Sequence, residues 1–127
     1  MTSLPSAGDY SAETAMYPPL TVVDVLAEQA TVTGAYSNRA LLDINDACVR
    51  LAVFDRAYRW HRHPASDEFF LVVEGCLEVE LADGSSLTLG PWQSVVIPAG
   101  IVHRTSARGR TVNLTVETQH CLTEFLD

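Results

Sequence analysis

The sequence predicts an all-β fold, a sandwich or small barrel built from many short strands. Short apolar or alternating runs recur at regular spacing, and turn-forming residues such as Gly, Pro and Asn-Asp close them. The length of 127 residues supplies one hydrophobic core rather than two, and the 47% apolar fraction is typical of a globular chain.

The first part of the chain is expected to lie outside this β-structure. Residues 1–20 are rich in Ser, Ala, Gly and Pro, so we expect an N-terminal arm that is poorly ordered or that orders only against a partner subunit. Residues 21–127 are then the single domain. A short helical turn is predicted at residues 24–29 with Asp24 as its cap, too short to organise a helical fold.

The rest of the chain has the pattern of strands separated by turns. The predicted strands are residues 41–44, 48–54, 68–73, 76–81, 85–89, 95–97, 103–107 and 111–117. The pairs Asn45-Asp46 and Asp83-Gly84 are suited to tight hairpins. Apolar and polar residues alternate over 76–81, which predicts one buried and one solvated face.

Charge and composition exclude several classes of function. A net charge of -8 argues against nucleic acid and against an anionic membrane surface. No apolar run approaches the length of a membrane span, and the N-terminus lacks the basic and apolar regions of a secretory signal. The odd number and irregular spacing of Cys48, Cys76 and Cys121 predict reduced thiols in a cytoplasmic protein.

Two histidines and a carboxylate lie where one divalent ion could bind all three. His61 and His63 are two residues apart, so they share a face of an extended segment. Pro64 favours that extended geometry because it disfavours a helical conformation for the residue before it. The turn-prone residues 64–67 then allow Glu68 to re-enter facing the same cavity.

A third histidine, His103, must reach this cavity from a separate strand. Three imidazole nitrogens and one carboxylate suit Zn, Fe, Mn, Ni or Cu better than Ca or Mg. The sequence therefore predicts one divalent transition-metal ion held by His61, His63, Glu68 and His103, with room for water or substrate if the geometry is octahedral. The alternative is that these histidines are hydrogen-bonded packing residues.

Four further side chains are expected to contact a small-molecule substrate: Arg59, Phe70, Ile101 and Thr105. If the strand that carries His61 extends backwards without a bulge, Arg59 faces inward and would bind a carboxylate or phosphate. The alternative is that Arg59 lies in solvent at the barrel mouth. Phe70 and Ile101 would form an apolar floor, and Thr105 would add a weak polar contact.

Two aromatic residues alternate with the predicted ligands. Tyr58 and Trp60 are expected to face the other way, toward packing or a dimer interface.

The same residues resemble the two sequence motifs of the cupin superfamily, over about residues 41–117. The first motif, G-x5-H-x-H-x3,4-E-x6-G, is met at His61, His63, Glu68 and Gly75, with Asp55 at its leading Gly. The second motif, G-x5-P-x-G-x2-H-x3-N, is met at Pro98, Gly100 and His103, with Trp92 at its first Gly and Ala107 at its final Asn.

The resemblance implies a small single-domain cupin with a double-stranded β-helix (jelly-roll) barrel, a central metal and, commonly, a homodimer. Cupins include dioxygenases, isomerases, cyclases and sensor domains, so the fold alone does not fix the reaction. We expect a metal-dependent enzyme of dioxygenase, isomerase or cyclase type, with Glu68 as the candidate acid or base. The alternatives are a metal-dependent binder or sensor without catalysis and a structural role with a vestigial site.

Overall fold

Two five-stranded antiparallel sheets make up most of the computed structural model, which describes residues 7–127. The helices are α1 (Ala7–Ala12) and α2 (Val25–Ala30). The strands are β1 (Tyr36–Ile44), β2 (Ala47–Phe54), β3 (His61–Arg62), β4 (Glu68–Glu74), β5 (Leu77–Leu81), β6 (Ser86–Leu89), β7 (Ser94–Ile97), β8 (His103–Ala107), β9 (Thr111–Thr118) and β10 (Glu124–Phe125). The prediction of an all-β jelly-roll fold is confirmed.

Each sheet contains strands that are distant in sequence. The first sheet has the order β1-β2-β9-β4-β7, and the second has the order β10-β3-β8-β5-β6. The chain therefore passes repeatedly from one sheet to the other, as between β4 and β5 and between β8 and β9. This interleaving brings residues 61 and 103 opposite each other in the second sheet, although they are far apart in sequence.

Both predicted hairpins are present, with the turn residues that the sequence supplies. Asn45 adopts a left-handed φ of 52° between β1 and β2, a conformation that Asn tolerates better than most residues. Gly84 has a φ of 93° between β5 and β6. The side chain of Asp83 accepts a hydrogen bond of 2.8 Å from the backbone N–H of Ser85, which stabilises this turn.

The interior between the sheets holds both apolar and polar side chains. Buried side chains from both sheets form the apolar core, among them Phe54, Phe70, Val72, Leu77, Val79 and Leu89. Alternate residues of β9 are buried polar side chains: Thr111, Asn113, Thr115 and Glu117. Polar groups are costly to bury without partners, and two members of this row, Asn113 and Thr115, line the cavity beside the histidines.

The outer face of the first sheet is covered by the N-terminal part of the chain. A second apolar cluster lies there, and Tyr17, Val23 and Val25 pack against it. The predicted cap is confirmed, since Asp24 Oδ1 accepts hydrogen bonds from the N–H groups of Leu26 and Ala27 at the start of α2. None of the helices formed by residues 7–127 is long and apolar enough to cross a membrane.

The predicted arm, residues 1–20, is described only in part, because residues 1–6 lie outside the described residues. From Ala7 onward the arm follows the barrel of this same chain. Met16 N–H donates to the carbonyl of Ala40 and Tyr17 N–H donates to that of Leu41, at 2.8 and 3.1 Å. The division of the chain at residue 20 stays a prediction.

Candidate metal centre

Three histidines and one glutamate meet in the interior between the two sheets. His61 lies in β3, His63 directly follows it, Glu68 begins β4 and His103 begins β8. All four side chains are buried, with exposed fractions of 1–5%. One nitrogen or oxygen atom from each lies within 4.8 Å of those of the other three. The structure thus brings together the four predicted ligands, which come from both sheets.

Glu68 lies between two of the imidazoles. Its Oε1 is 3.0 Å from His103 Nε2, and its Oε2 is 3.3 Å from His63 Nε2. Two ligand atoms on one transition-metal ion are about 3 Å apart when each lies about 2.1 Å from the ion, so these separations fit a shared ion. His63 Nε2 is fully buried and has no hydrogen-bond partner among the described residues. That isolated nitrogen is suited to a metal ion.

The second nitrogen of each ring contacts the backbone. Nδ1 lies near a carbonyl oxygen in all three histidines: 2.7 Å for His61 and Arg59, 3.1 Å for His63 and Leu122, and 2.9 Å for His103 and Ile101. A carbonyl oxygen only accepts hydrogen bonds, so each contact favours a proton on Nδ1 and leaves Nε2 as the free donor atom. Ligating histidines in metalloproteins are oriented in the same way.

The electrostatics of the cluster favour a cation between these groups. Burial lowers the pKa of His61 to about 4, so this ring is neutral at neutral pH. Burial alone would raise the pKa of Glu68, but its hydrogen bond with His103 and its close contact with His63 outweigh burial and hold that pKa below its usual range. For His63, burial opposes the charge, yet contacts with Cys121 and Glu68 raise its pKa to about 10. A metal ion must therefore displace a proton from His63.

A small cavity lies beside the histidines. Its volume is about 40 Å³, which is room for a water molecule or a small polar group, and it is partly open to solvent. Tyr36, Phe54, Tyr58 and Phe70 form its aromatic walls, while Thr105, Asn113 and Thr115 supply polar groups. Of the predicted substrate contacts, Phe70 and Thr105 line this cavity.

Arg59 does not line the cavity, which differs from the inward orientation predicted for it. Its guanidinium pairs with Asp127 at 3.0 Å and lies 3.7 Å from the centre of the Phe125 ring, with 39% of the side chain exposed. The prediction required the strand to extend backwards, but β3 begins at His61. The alternative stated in the sequence analysis, an arginine side chain that faces solvent, is the orientation observed. Arg59 reaches the site only through its carbonyl, which holds His61.

Two other orientations also differ from expectation. Ile101 is 42% exposed and is not part of the cavity wall, because it precedes β8 and lies outside the strand alternation. Its carbonyl instead holds His103. Tyr58, expected to face away, lines the cavity and stacks on Tyr36 with ring centres 5.4 Å apart. It also lies before β3, so strand parity does not apply to it.

Sequence reasoning missed a second buried polar cluster next to the histidines. Arg50 Nε is 3.4 Å from Glu117 Oε1, and Arg50 Nη2 donates to the carbonyl oxygen of Tyr10 at 3.0 Å. The hydroxyl of Tyr10 donates to Glu117. Burial raises the pKa of Glu117, while the nearby guanidinium favours its charged form. The alternation of residues 111–117 was the available signal, since it places residue 117 on the face of 111, 113 and 115.

Glu117 and Cys121 also approach His63, but they form a poorer ion site. Glu117 Oε2 is 3.6 Å from His63 Nε2, and Cys121 Sγ is 3.3 Å from His63 Nδ1. These three residues also bring potential ligand atoms within 4.8 Å of one another. Because Nδ1 already faces the carbonyl of Leu122, it has no lone pair free for a second ion. We therefore infer that Glu117 and Cys121 help to position the His63 ring rather than bind an ion.

The departures from the two motifs leave the ligands in place. Trp92, at the first Gly position of the second motif, has a φ of 65°, in the left-handed region that Gly adopts more easily. Its ring is largely exposed. The turn geometry is therefore kept by a residue that is strained there.

Comparison with known proteins gives concordant results. The model of the family described as "Cupin domain" matches residues 49–117. A Bacillus subtilis protein, the uncharacterized protein YdbB, is 42% identical over 104 residues, which is 82% of this chain and 92% of that protein. A Streptomyces cyaneus protein, polyketide synthase CurC, is 50% identical over 44 residues, 35% of this chain and 28% of that protein.

Among solved structures, a cupin-2 domain protein from Shewanella frigidimarina superposes with a TM-score of 0.72 at 27% identity. The match covers 76% of this chain and 94% of that chain. The likeness therefore extends over nearly the whole of a separate small protein.

Proposed function

This chain belongs to the cupin domain family, and we propose that it is a metal-dependent enzyme that acts on a small molecule. The proposed ligands are His61, His63, Glu68 and His103, and the proposed cofactor is one divalent ion of Zn, Fe, Mn or Ni. The observation that carries the proposal is the shared arrangement of the three imidazoles: each has Nδ1 on a backbone carbonyl, which leaves three Nε2 atoms beside one buried carboxylate.

The residues present have defined tasks in such a site. A bound divalent ion supplies Lewis acidity toward a substrate oxygen or a water molecule. The three backbone carbonyls hold the rings in one tautomer, and the Glu68 carboxylate offsets positive charge. Phe70 and Tyr58 exclude water from the adjoining space, which strengthens electrostatic interactions there. Dioxygenase, isomerase and cyclase chemistry are all compatible with this set.

An enzyme is supported by the segment shared with a relative that is named a polyketide synthase, although the match covers a minor part of that protein. One observation favours a second candidate, a metal-dependent binder or sensor without catalysis. Glu68 is the only carboxylate among the described residues that line the cavity, and it is a proposed ligand. A sensor needs no separate acid or base.

Elemental analysis of protein purified without chelators or a His-tag tests the metal. We expect close to one equivalent of a transition metal in the wild-type protein and a loss of most of it in His61→Ala and His103→Ala. His120→Ala is the matched control, because His120 hydrogen-bonds the backbone carbonyl of Ser11 and belongs to neither group of potential ligands found among the described residues. Equal metal content in all four proteins would contradict the proposal.

Turnover separates the enzyme from the sensor. The metal-loaded protein is incubated with catechols and keto acids, and each compound is followed by mass spectrometry. Conversion supports an enzyme, whereas tight binding that returns the compound unchanged supports the sensor.

The homodimer and the cytoplasmic location remain predictions. Light scattering on the purified chain measures the former: a mass of twice 13.9 kDa is expected, and a monomer would contradict it.

A further inference from the structure

We propose that α1 is a movable cover over the candidate metal centre, and that Tyr10 occupies space that a substrate enters when α1 moves away. The inference rests on the proposed function in taking the histidine cluster as the reacting centre. Three observations carry it: the small volume of the cavity, the position of Tyr10 against His63, and the polar attachment of α1 upstream of the point where the arm joins β1.

The cavity beside the histidines is too small to admit an organic substrate. Its volume is about 40 Å³, whereas ligand sites usually enclose about 300 Å³ or more. A substrate therefore reaches the histidines only if part of the wall moves. Most of the wall residues lie in strands of the two sheets, but Tyr10 lies in α1, outside both sheets.

Tyr10 covers one of the proposed ligands. Its ring stacks on that of His63, with ring centres 6.2 Å apart and 25° between the planes. The side chain is 6% exposed, and its hydroxyl donates to Glu117. The guanidinium carbon of Arg50 lies 3.8 Å from the centre of the same ring. Outward movement of Tyr10 would thus uncover His63 and enlarge the cavity on that side.

The contacts that hold α1 can break without leaving a buried charge unpaired. Arg50 Nη2 donates to the carbonyl of Tyr10 at 3.0 Å, and His120 Nδ1 donates to the carbonyl of Ser11 at 2.8 Å. When α1 leaves, Arg50 keeps its contact with Glu117, because both belong to barrel strands. A six-residue helix has little stability of its own, so these contacts decide whether it stays in place.

The arm stays attached to the barrel while α1 moves. The N–H groups of Met16 and Tyr17 donate to carbonyls of β1, which fixes the arm downstream of α1. Glu13 lies between these two points and pairs with Arg50 at 3.2 Å, with 32% of its side chain exposed. Opening must break that partly solvated pair. The movement is therefore confined to residues 7–15.

Thiol labelling of the full-length, metal-free protein tests the inference. Cys121 is 4% exposed, and its Sγ lies 3.3 Å from His63 Nδ1, so N-ethylmaleimide reaches it when the cover opens. Cys76 is partly exposed and lies beside Thr111, at the other end of β9 from Glu117. It therefore serves as an internal standard. Mass spectrometry of peptides resolves the rate at each cysteine.

Substitutions of Tyr10 assign the opening to α1. Tyr10→Ala removes the buried ring, so it should raise the labelling rate of Cys121 about tenfold or more and leave that of Cys76 unchanged. Tyr10→Phe keeps the ring but loses the hydroxyl contact with Glu117, and it should label slowly like the wild type. Tyr17→Ala is the matched control in the same arm, because Tyr17 packs on the outer face of the first sheet. It should leave the rate of Cys121 unchanged.

Equal labelling of Cys121 in wild type and Tyr10→Ala would overturn the proposal. The wild-type protein alone provides a second test, in case the variants fail to fold. Opening of α1 exposes little surface, so the labelling rate of Cys121 should hardly change at low urea concentrations. A rate that rises with urea as steeply as global unfolding would also overturn the proposal.

Zinc release separates this inference from the proposed function. A chromophoric chelator should remove zinc from loaded Tyr10→Ala protein faster than from the wild type, and equal rates would contradict a cover. A wild-type protein that never holds zinc, together with fast labelling of Cys121 in Tyr10→Ala only, would contradict the proposed function and support the cover.

Discussion

Gly75 shows how a single residue position connects the sequence motif to the fold. It closes the first motif with a φ of +90°, and a Cβ added there would lie 2.6 Å from Thr111 Oγ1 and 2.7 Å from the carbonyl oxygen of Arg110. We expect Gly75→Ala to lower the free energy of unfolding by about 2–4 kcal/mol, because backbone strain and a steric clash act together. Urea denaturation measures this loss.

Gly84 provides the matched control for that substitution. Its φ of +93° is nearly the same, but no heavy atom lies within 4 Å of an added Cβ. Gly84→Ala should therefore cost only the backbone term, about 1–2 kcal/mol. Equal losses at the two positions would show that the contact with β9 is unimportant.

At the same scale, the raised pKa of His63 predicts how metal affinity depends on pH. Its pKa is raised to about 10, so the proton is bound below that pH and must leave when a metal binds Nε2. The apparent metal affinity should thus rise with pH, by about tenfold per unit between pH 7 and 9 for one displaced proton. Competition against a chromophoric chelator, corrected for the chelator's own protonation, measures the slope. A flat profile would mean that His63 binds no proton in this range.

Among the elements, α1 is attached to the barrel in part through one buried arginine. Arg50 of β2 is 3% exposed, contacts Glu117 of β9 and donates to the backbone of Tyr10 in α1. Arg50→Met would leave the Glu117 charge buried without its partner, and we expect the free energy of unfolding to fall by about 3–5 kcal/mol. Chemical denaturation followed by circular dichroism is the measurement.

Two further variants distinguish charge from packing at this junction. The Arg39–Glu28 pair is more exposed, so Arg39→Met should cost at most about 1 kcal/mol. The double variant Arg50→Met with Glu117→Leu removes both buried charges and should recover much of the stability lost in Arg50→Met. If the double variant were as unstable as the single one, lost packing would be the cause instead.

The elements also show how far sequence reasoning reaches. Strands such as β2 and β5 were predictable from local sequence, because each is an apolar or alternating run bounded by turn-forming residues. The two-residue strand β10 has no such pattern. Its neighbour Leu122 serves the site through a backbone carbonyl, which any residue type could supply. The inward orientation considered for Arg59 is wrong because strand parity does not extend beyond the end of β3, and the solvent-facing alternative is the one observed.

The candidate ligands were predictable for a different reason. Ligand chemistry requires particular side chains, so His61, His63, Glu68 and His103 stood out in a chain with four histidines. The structure adds what spacing cannot contain: which nitrogen of each ring is free, and that the buried Glu117 lies beside His63. The first depends on local backbone geometry at His61 and His103 and on a distant segment at His63, whereas the second depends on a contact between segments that are distant in sequence.

At the scale of the whole molecule, the candidate ligands join the two sheets. His61 and His103 belong to the second sheet, and Glu68 begins a strand of the first. An ion held by all of them would bind the folded chain and not the unfolded one, so it should stabilise the fold by about 2.7 kcal/mol at a concentration 100 times its Kd. For a chain of this length, that corresponds to a rise in Tm of roughly 10 °C.

Differential scanning calorimetry of metal-free and reconstituted protein measures this rise. His103→Ala is the informative variant, because it removes a ligand of the second sheet and should abolish the response to metal. His120→Ala should keep the full response. An unchanged Tm in the wild-type protein, with one equivalent of ion bound, would mean that the ion sits where it does not link the sheets. A rise that persists in His103→Ala would place the stabilising ion on other residues.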